Sequence, residues 1–417
     1  MKSIRIRLAA SVAAVCAVAI LAAQFAQAQT FKTLVLFNGT DGAGPQEPLL
    51  QASDGNFYGT TIAGGSSTNC TGGCGTVFKL TKSGKETVLH SFTGYPTDGA
   101  VALGLVQAAD RNLYGTTQSG GTHGECAGGG CGTVFRISLT GKPTTLYNFC
   151  AKYENNGCAD GTGPNGGLIQ GKDGNFYGTT FEGGVTEFTT SSGTAFKMTP
   201  SGKLTTLYSF CTKVHCTDGE HPASGLVEAV DGDFYGTTAQ GGTYGGGTIF
   251  KITAAGKLTT LYSFCKARCA DGDYPAGALI QATDGDFYGT TELGGSFNCS
   301  IYGCGTAFKV TAAGKLTTLH TFCIKTNCPD GAQPTAKLVQ ATDGNFYGVA
   351  SHILGTVFKV TPGGTLKVLH TFDITDGLYP IGGLIQATEG SFYGTTELGG
   401  DTSTCNGAGC GTVFRLK

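Results

Sequence analysis

The sequence predicts an all-β, seven-bladed β-propeller of four-stranded antiparallel blades, and four observations carry that prediction. A Phe-Tyr-Gly-Thr-Thr string, or a near variant, recurs seven times, with its tyrosine at Tyr58, Tyr114, Tyr177, Tyr235, Tyr288, Tyr347 and Tyr393. A second string, Gly-Thr-(Val/Ala/Ile)-Phe-(Lys/Arg), begins at Gly75, Gly132, Gly193, Gly247, Gly305, Gly355 and Gly411, in strict alternation with the first. The tyrosines stand 56, 63, 58, 53, 59 and 46 residues apart, too long for one solenoid coil and suited to a propeller blade. Finally, the seventh unit stops at Lys417 without its last strand, and Lys32 to Phe37 carries the pattern of the missing piece. The N-terminal segment is therefore expected to complete the last blade and close the ring, leaving only short, protected edges.

The first 28 residues read as a signal peptide, and residues 29–417 as a single propeller. Lys2, Arg5 and Arg7 form a basic start, an apolar run extends from Leu8 to Ala23, and Ala26-Gln27-Ala28 supplies the cleavage pattern. The apolar run is short for a membrane span and nothing comparable follows, so no membrane span is expected in the mature chain. A secreted or periplasmic location follows.

Within each unit four short strands are expected. In the fourth copy, 225–229 is strand a, Asp231-Gly232 is a two-residue hairpin turn, 234–238 is strand b, 247–253 strand c and 258–264 strand d. Asp-Gly suits the type I′ turn, which needs positive φ at both central positions. Strands rich in Thr, Tyr, Phe, Val and Ile between Gly and Asp clusters favour sheet over helix. This order places the tight a–b and c–d turns on one face of the disc. The long, variable b–c and d–a loops share the other, where binding is usually located.

All 16 mature cysteines fall in those loops as close pairs: Cys70/Cys74, Cys126/Cys131, Cys150/Cys158, Cys211/Cys216, Cys265/Cys269, Cys299/Cys304, Cys323/Cys328 and Cys405/Cys410. Each such loop holds two cysteines or none, the parity of eight local disulfides in an oxidising compartment. Zinc is the rival, and it requires pairs from two loops to converge. A bridge closing about five residues contributes about 2 kcal/mol by the loop-entropy estimate.

With Lys2, Arg5 and Arg7 removed from the 27 basic residues, against 29 acidic ones, the mature chain is net negative by about five charges. Nothing resembles the basic stripe of a nucleic-acid-binding protein. Charged residues are 13% of the chain, about half the usual share.

These strings, together with the Gly-Gly pairs and Thr-Thr-Leu-Tyr-Ser-Phe, resemble the GloVer (Gloeo/Verruco) tandem repeat of secreted bacterial proteins described as choice-of-anchor GloVer-containing proteins. The resemblance covers essentially the whole mature chain. It implies an exported, surface-associated protein and brings no catalytic residues with it. No sorting signal follows Arg415-Leu416-Lys417, so a soluble periplasmic or released form is expected. The absence of tryptophan sets the chain apart from kelch repeats.

Candidate chemistry rests on recurring polar positions. An Asp-Gly stands in every d–a loop, at Asp41, Asp98, Asp160, Asp218, Asp271, Asp330 and Asp376. Turn chemistry explains it; the functional alternative is a ring of carboxylates on the loop face, with calcium as the one ion it would suit. No other cofactor is expected. The strand c cations, Lys79, Arg136, Lys197, Lys251, Lys309, Lys359 and Arg415, are expected to lay their stems on the blade and reach water or a neighbouring acid. His90, His320 and His370 take the strand d place of Tyr147, Tyr208 and Tyr262 and are read as packing substitutes. Glu182, Glu292 and Glu397, each near the end of a strand b, are the first candidates for glycoside chemistry. No Ser/His/Asp arrangement or nucleophile elbow is present. The favoured reading is a monomeric, non-catalytic binding propeller that recognises an extracellular glycan or protein through its disulfide-pinned loop face. The alternative is a secreted carbohydrate-active hydrolase or lyase using loop-face carboxylates.

Overall fold

The computed structural model describes residues 30–126, 129–188 and 191–417; the expected signal peptide, residues 1–28, lies outside them. Seven four-stranded antiparallel sheets form the propeller. Blade 1 runs Leu50–Gln51, Phe57–Thr61, Thr76–Leu80 and Glu86–Ser91 as strands a to d. Blade 7 takes Leu384–Gln386, Phe392–Thr396 and Thr412–Leu416 from the C-terminal end and Phe31–Leu36 from the N-terminal end. Phe31 pairs with Leu416 and Leu36 with Thr412, so the closure expected from the sequence is present. Thr30 and Lys417 exchange two backbone hydrogen bonds just beyond it.

The main departure from the expected strands lies nearest the axis. Strand a is two residues long in blades 1 and 3 to 6, because in each a proline without an N–H stands four residues before its conserved leucine (Pro45 before Leu49, Pro164 before Leu168). Blade 2 lacks that proline, and its strand a extends over Gly99–Gln107.

Each conserved position in the repeat serves a contact. The glycine after each strand b tyrosine pairs with the strand c phenylalanine, as Gly59 does with Phe78; a Cβ there would run into the Phe78 ring. Strand b tyrosines stack on the strand b phenylalanine of the next blade at 3.9–4.2 Å between centroids (Tyr114 on Phe176, Tyr288 on Phe346, Tyr393 on Phe57). Strand d phenylalanines meet the strand c phenylalanine of the next blade edge-on at 5.1–5.4 Å, from Phe37–Phe78 to Phe372–Phe414. These rings are almost fully buried and supply most of the apolar area that holds blade to blade.

A polar ring accompanies the aromatic one. The last residue of strand a accepts a hydrogen bond from a backbone N–H in the a–b turn of the preceding blade, at 2.8–3.0 Å. The acceptors are Gln51, Gln107, Gln170, Glu228, Gln281, Gln340 and Gln386, and the donors begin at Thr388 and Ser53. Every blade is clasped to its neighbour, including blade 1 to blade 7.

The second threonine of the Phe-Tyr-Gly-Thr-Thr string pairs hydroxyl to hydroxyl with the threonine of the strand c string, at 2.8–2.9 Å, as in Thr61–Thr76 and Thr291–Thr306. Blade 6 carries Ala350 in that place, and the hydroxyl of its partner Thr356 is buried without a hydrogen bond. Restoring the pair with Ala350→Thr is expected to raise the melting temperature, whereas Thr306→Val is expected to destabilise by about 1 kcal/mol. Thermal denaturation of the two variants checks both signs.

Candidate functional site

The two faces of the disc are chemically unlike. On the turn face, the hairpin aspartates are hubs. Asp54 accepts hydrogen bonds from the Asn56 N–H, the Tyr58 hydroxyl and the Lys79 ammonium. The same ion pair forms at Asp173–Lys197, Asp231–Lys251, Asp284–Lys309 and Asp343–Lys359, at 2.7–2.9 Å. Each of these lysines also stands 5.4–5.5 Å above the ring of its own strand b tyrosine, a cation–π contact. Burial pushes the Asp54 carboxyl up, but the Asn56 bonds, Lys79 and Tyr58 outweigh it and hold it at about 2. Arg136 and Arg415 occupy the lysine place in blades 2 and 7, beside Asp110 and Glu389, which accept the hydroxyls of Tyr114 and Tyr393.

On the loop face all eight expected disulfides are formed: Cys70–Cys74, Cys126–Cys131, Cys150–Cys158, Cys211–Cys216, Cys265–Cys269, Cys299–Cys304, Cys323–Cys328 and Cys405–Cys410. All sixteen lie in the b–c and d–a connections, as expected, but one end of most bridges is also packed into the blade core. Cys74, Cys131, Cys304 and Cys410 directly precede the glycines that open strand c, and all four are buried. Cys74 packs in the cluster of Val77 and Phe92, and Cys410 in that of Phe37 and Val413. Their partners Cys70, Cys126, Cys299 and Cys405 are half-buried. In the d–a loops it is the first cysteine that follows the strand d phenylalanine directly, and Cys150, Cys211 and Cys323 are buried there. Cys328, at the far end of its bridge, is half-buried and packs against the cluster of Phe322 and Phe358. These bridges therefore anchor the loops to the core more than they line an open surface.

Two disulfides converge from neighbouring loops: the sulfurs of Cys126, Cys131, Cys150 and Cys158 lie within 4.8 Å of one another. Paired in this way they offer no thiolate to a metal.

Beneath the loops, six of the seven d–a aspartates accept a hydrogen bond from strand d. Tyr147, Tyr208 and Tyr262 donate to Asp160, Asp218 and Asp271 at 2.6–2.8 Å. His90, His320 and His370 make the same contact to Asp98, Asp330 and Asp376 at 2.8–2.9 Å. Imidazole thus substitutes for phenol in a hydrogen bond as well as in packing. Backbone N–H groups fill much of what remains: Ala151 and Lys152 donate to Asp160, Thr212 and Lys213 to Asp218. Asp41 instead accepts both the N–H and the side-chain amide of Asn38. At Asp98 burial acts upward, yet His90 and the Gly99 N–H hold the carboxyl below its usual range.

The three glutamates do not share one position. Glu292 and Glu397 immediately follow their strands b, while Glu182 comes one residue later in blade 3, where its backbone bridges Thr162. Glu397 accepts a hydrogen bond from the Gln46 side-chain amide at 2.9 Å. Glu292 lines the axial channel, and burial raises its carboxyl.

That channel, of about 870 Å³, is walled mainly by the residues entering the seven strands a. Most are small or aliphatic: Gly104, Gly167, Gly225 and Ala278 from blades 2 to 5. Two charged side chains break the pattern. Glu47 stands in blade 1 where the corresponding residues are Leu103, Gly166, Ser224, Gly277, Ala336 and Gly382. Lys337 stands in blade 6 where the others carry proline, glycine or alanine. The Glu47 carboxylate lies against Gly104, whose Cβ, if it had one, would be 3.1 Å from Oε2. Lys337 is open to the channel's interior while the blades surround it on all sides. Burial pushes Glu47 up to about 7 and Lys337 down. Neither residue was singled out from the sequence; aligning the seven repeats just ahead of strand a exposes both as exceptions.

A family model described as the Gloeobacter/Verrucomicrobia repeat matches residues 21–186, 130–353 and 185–414. Among curated proteins no sequence matches the chain. By fold it is similar to the extracellular domain of a hybrid two-component system from B. thetaiotaomicron (TM-score 0.53, 12% identity), covering 93% of this chain and 41% of that one. It is also similar to a gluconolactonase from Xanthomonas campestris (TM-score 0.44, 14% identity, 77% and 86% covered). A third is the PQQ-bound aldose sugar dehydrogenase from Streptomyces coelicolor (TM-score 0.43, 14% identity, 93% and 98% covered). At these identities the likeness is one of fold, and the chain spans less than half the length of that extracellular domain.

Glu47 gives a pH signature. Its carboxyl holds a proton in the folded chain up to about pH 7, whereas an ordinary glutamate releases it near 4.5. Between those values the folded state binds the extra proton, so this residue's contribution to stability falls as pH rises through the window. Melting temperatures measured from about pH 5 to 8 are expected to decline less steeply in Glu47→Gln than in the wild type; an unchanged slope would contradict the assignment.

Proposed function

The chain belongs to the Gloeobacter/Verrucomicrobia repeat family, and from that premise we propose that it is an exported, non-catalytic binding propeller whose loop face docks an extracellular protein. The observation that carries this reading is where apolar surface remains exposed. Of the large hydrophobic side chains exposed on the described residues, all but Leu36 and Val230 lie in the b–c and d–a loops. They concentrate over blades 5 and 6: Phe297, Ile301, Tyr302, Ile324, Ile353 and Leu354, with Ile301 83% exposed. Exposed apolar surface gathered on one face marks an interaction site. Aliphatic as well as aromatic side chains favour a protein surface over a glycan.

The disulfides support the rest of the reading. They fit an oxidising compartment outside the cytoplasm, and they stiffen the loops that carry the apolar groups, which lowers the entropy lost on docking. Among the described residues no helix is long and apolar enough to cross a membrane. On the turn face, by contrast, each strand c lysine is paired with a hairpin aspartate.

A second reading, hydrolysis in the channel, has one observation in its favour: Glu47 and Glu292 both line it, and burial raises both carboxyls, as a general acid requires. A polysaccharide screen with the wild type and Glu292→Ala decides this, since turnover that is lost in the variant would replace the binding reading.

The loop-face reading is tested by affinity capture from the extracellular fraction and by a glycan array. The probes are the wild type, a Phe297→Ser/Ile301→Ser/Tyr302→Ser variant and a turn-face control, Val230→Ser. The expected result is a protein partner retained by wild type and control and weakened at least about tenfold by the triple variant. Glycan-array binding in place of a protein, or capture undiminished by the triple variant, would overturn it.

A further inference from the structure

We propose that the axial channel is a binding site for a small linear zwitterion, with Lys337 holding its carboxylate end and Glu47 its ammonium end. The site is separate from the loop face and does not depend on a macromolecular partner docking there.

The inference starts from two charges that the chain itself leaves without a partner. A charged group lining a cavity is available to a ligand when no side chain of the protein has already engaged it. Among the described residues, every strand c lysine has an ion-pair partner and all seven d–a aspartates accept hydrogen bonds. The side chains of Glu47 and Lys337 have no hydrogen bond or ion pair; Glu47 is half-buried and Lys337 is exposed to the channel. Packing does not demand them, because the other blades fill the Glu47 position with Leu, Gly, Ser or Ala and the Lys337 position with Pro, Gly or Ala. Lys337 and two carboxyls without a partner, Glu47 and Glu292, therefore face one cavity, and at the Glu47 and Lys337 positions uncharged residues suffice for the fold in the other blades.

The cavity suits a ligand of this kind. Its volume of about 870 Å³ falls within the range of small-molecule pockets. On the blade 6 side, the Lys337 side chain is open to the cavity. On the opposite side the Glu47 carboxylate rests on Gly104, and the bare backbone there leaves its oxygens open. The wall also carries Ile169, Ile280, Val339 and Ile385, which offer apolar contact to a methylene chain. Because Glu47 and Lys337 do not pair with each other, a ligand that satisfies both must carry its charges at separate ends. That points to an ω-amino acid in preference to an α-amino acid.

The test is titration calorimetry of the full mature chain with 4-aminobutyrate and 6-aminohexanoate, using hexanoate, hexylamine and glycine as controls. At least one ω-amino acid is expected to bind with a Kd at or below about 1 mM, and the single-charge controls at least tenfold more weakly. Glu47→Gln and Lys337→Met are each expected to weaken that binding tenfold or more. Lys337→Arg, which keeps the charge, should retain it within about threefold, and the Phe297→Ser/Ile301→Ser/Tyr302→Ser variant should bind as the wild type does. Circular dichroism and melting curves establish that each variant is folded. Failure of both ω-amino acids to bind overturns the proposal, as does binding undiminished in either Glu47→Gln or Lys337→Met. So does a non-additive loss of ligand-free stability in the Glu47→Gln/Lys337→Met double variant, which would show the two side chains compensating each other.

Discussion

The contact between neighbouring blades is the constraint on which everything else depends. A ring of seven sheets closes only if each junction makes the same contact at the same angle, so a residue that serves one junction is called for at all seven. The tyrosine-on-phenylalanine stack, the edge-on pair of phenylalanines and the glutamine clasp are that shared contact. Where the contact is loosened, the change is conservative. Leu113 replaces the strand b phenylalanine in blade 2, and Glu228 replaces the glutamine in blade 4 while keeping its accepting oxygen.

This explains why so much of the fold was legible in the sequence. A requirement imposed seven times writes itself seven times, and Phe-Tyr-Gly-Thr-Thr and Gly-Thr-Val-Phe-Lys are the imprint of the junction and of the b–c ladder. The ring closure was legible for the same reason, because Lys32 to Phe37 repeats a pattern whose partners are counted elsewhere. The precise partnerships were not. Asp-Gly occurs both at the turn-face hub Asp54 and at the loop-face acceptor Asp98, and nothing in the dipeptide names the partner that three dimensions bring to each, Lys79 to one and His90 to the other. The cysteine pairing was legible from spacing, whereas the depth of Cys74 and Cys410 was not, since it depends on rings contributed by strands remote in the chain. The glutamine ring was overlooked because its partner is a backbone N–H, which every sequence supplies.

The candidate site was harder to read, and for the opposite physical reason. Repetition reports what the scaffold needs, whereas a ligand meets the ring at particular places and needs them to differ. Asp41, Asp98, Asp160, Asp218, Asp271, Asp330 and Asp376 drew notice because they recur, and hydrogen bonds within the blade engage all seven. Glu47 and Lys337 occur once each. They stand out only against the six uncharged residues at their own positions. The apolar side chains of the loop face are likewise irregular, and exposure, not composition, reveals them.

The meeting of Thr30 and Lys417 has a directional consequence. Strand d of blade 7 begins, and its strand c ends, at the side of the disc that carries the tight turns. Any segment joined to either end therefore emerges from that side, at one point. A chain tethered by whichever terminus would present its disulfide-bearing loops outward, away from whatever holds it, and a tag added at either end leaves that surface and the nearer mouth of the axis unobstructed. The geometry that seals the ring also gives the molecule a back and a front.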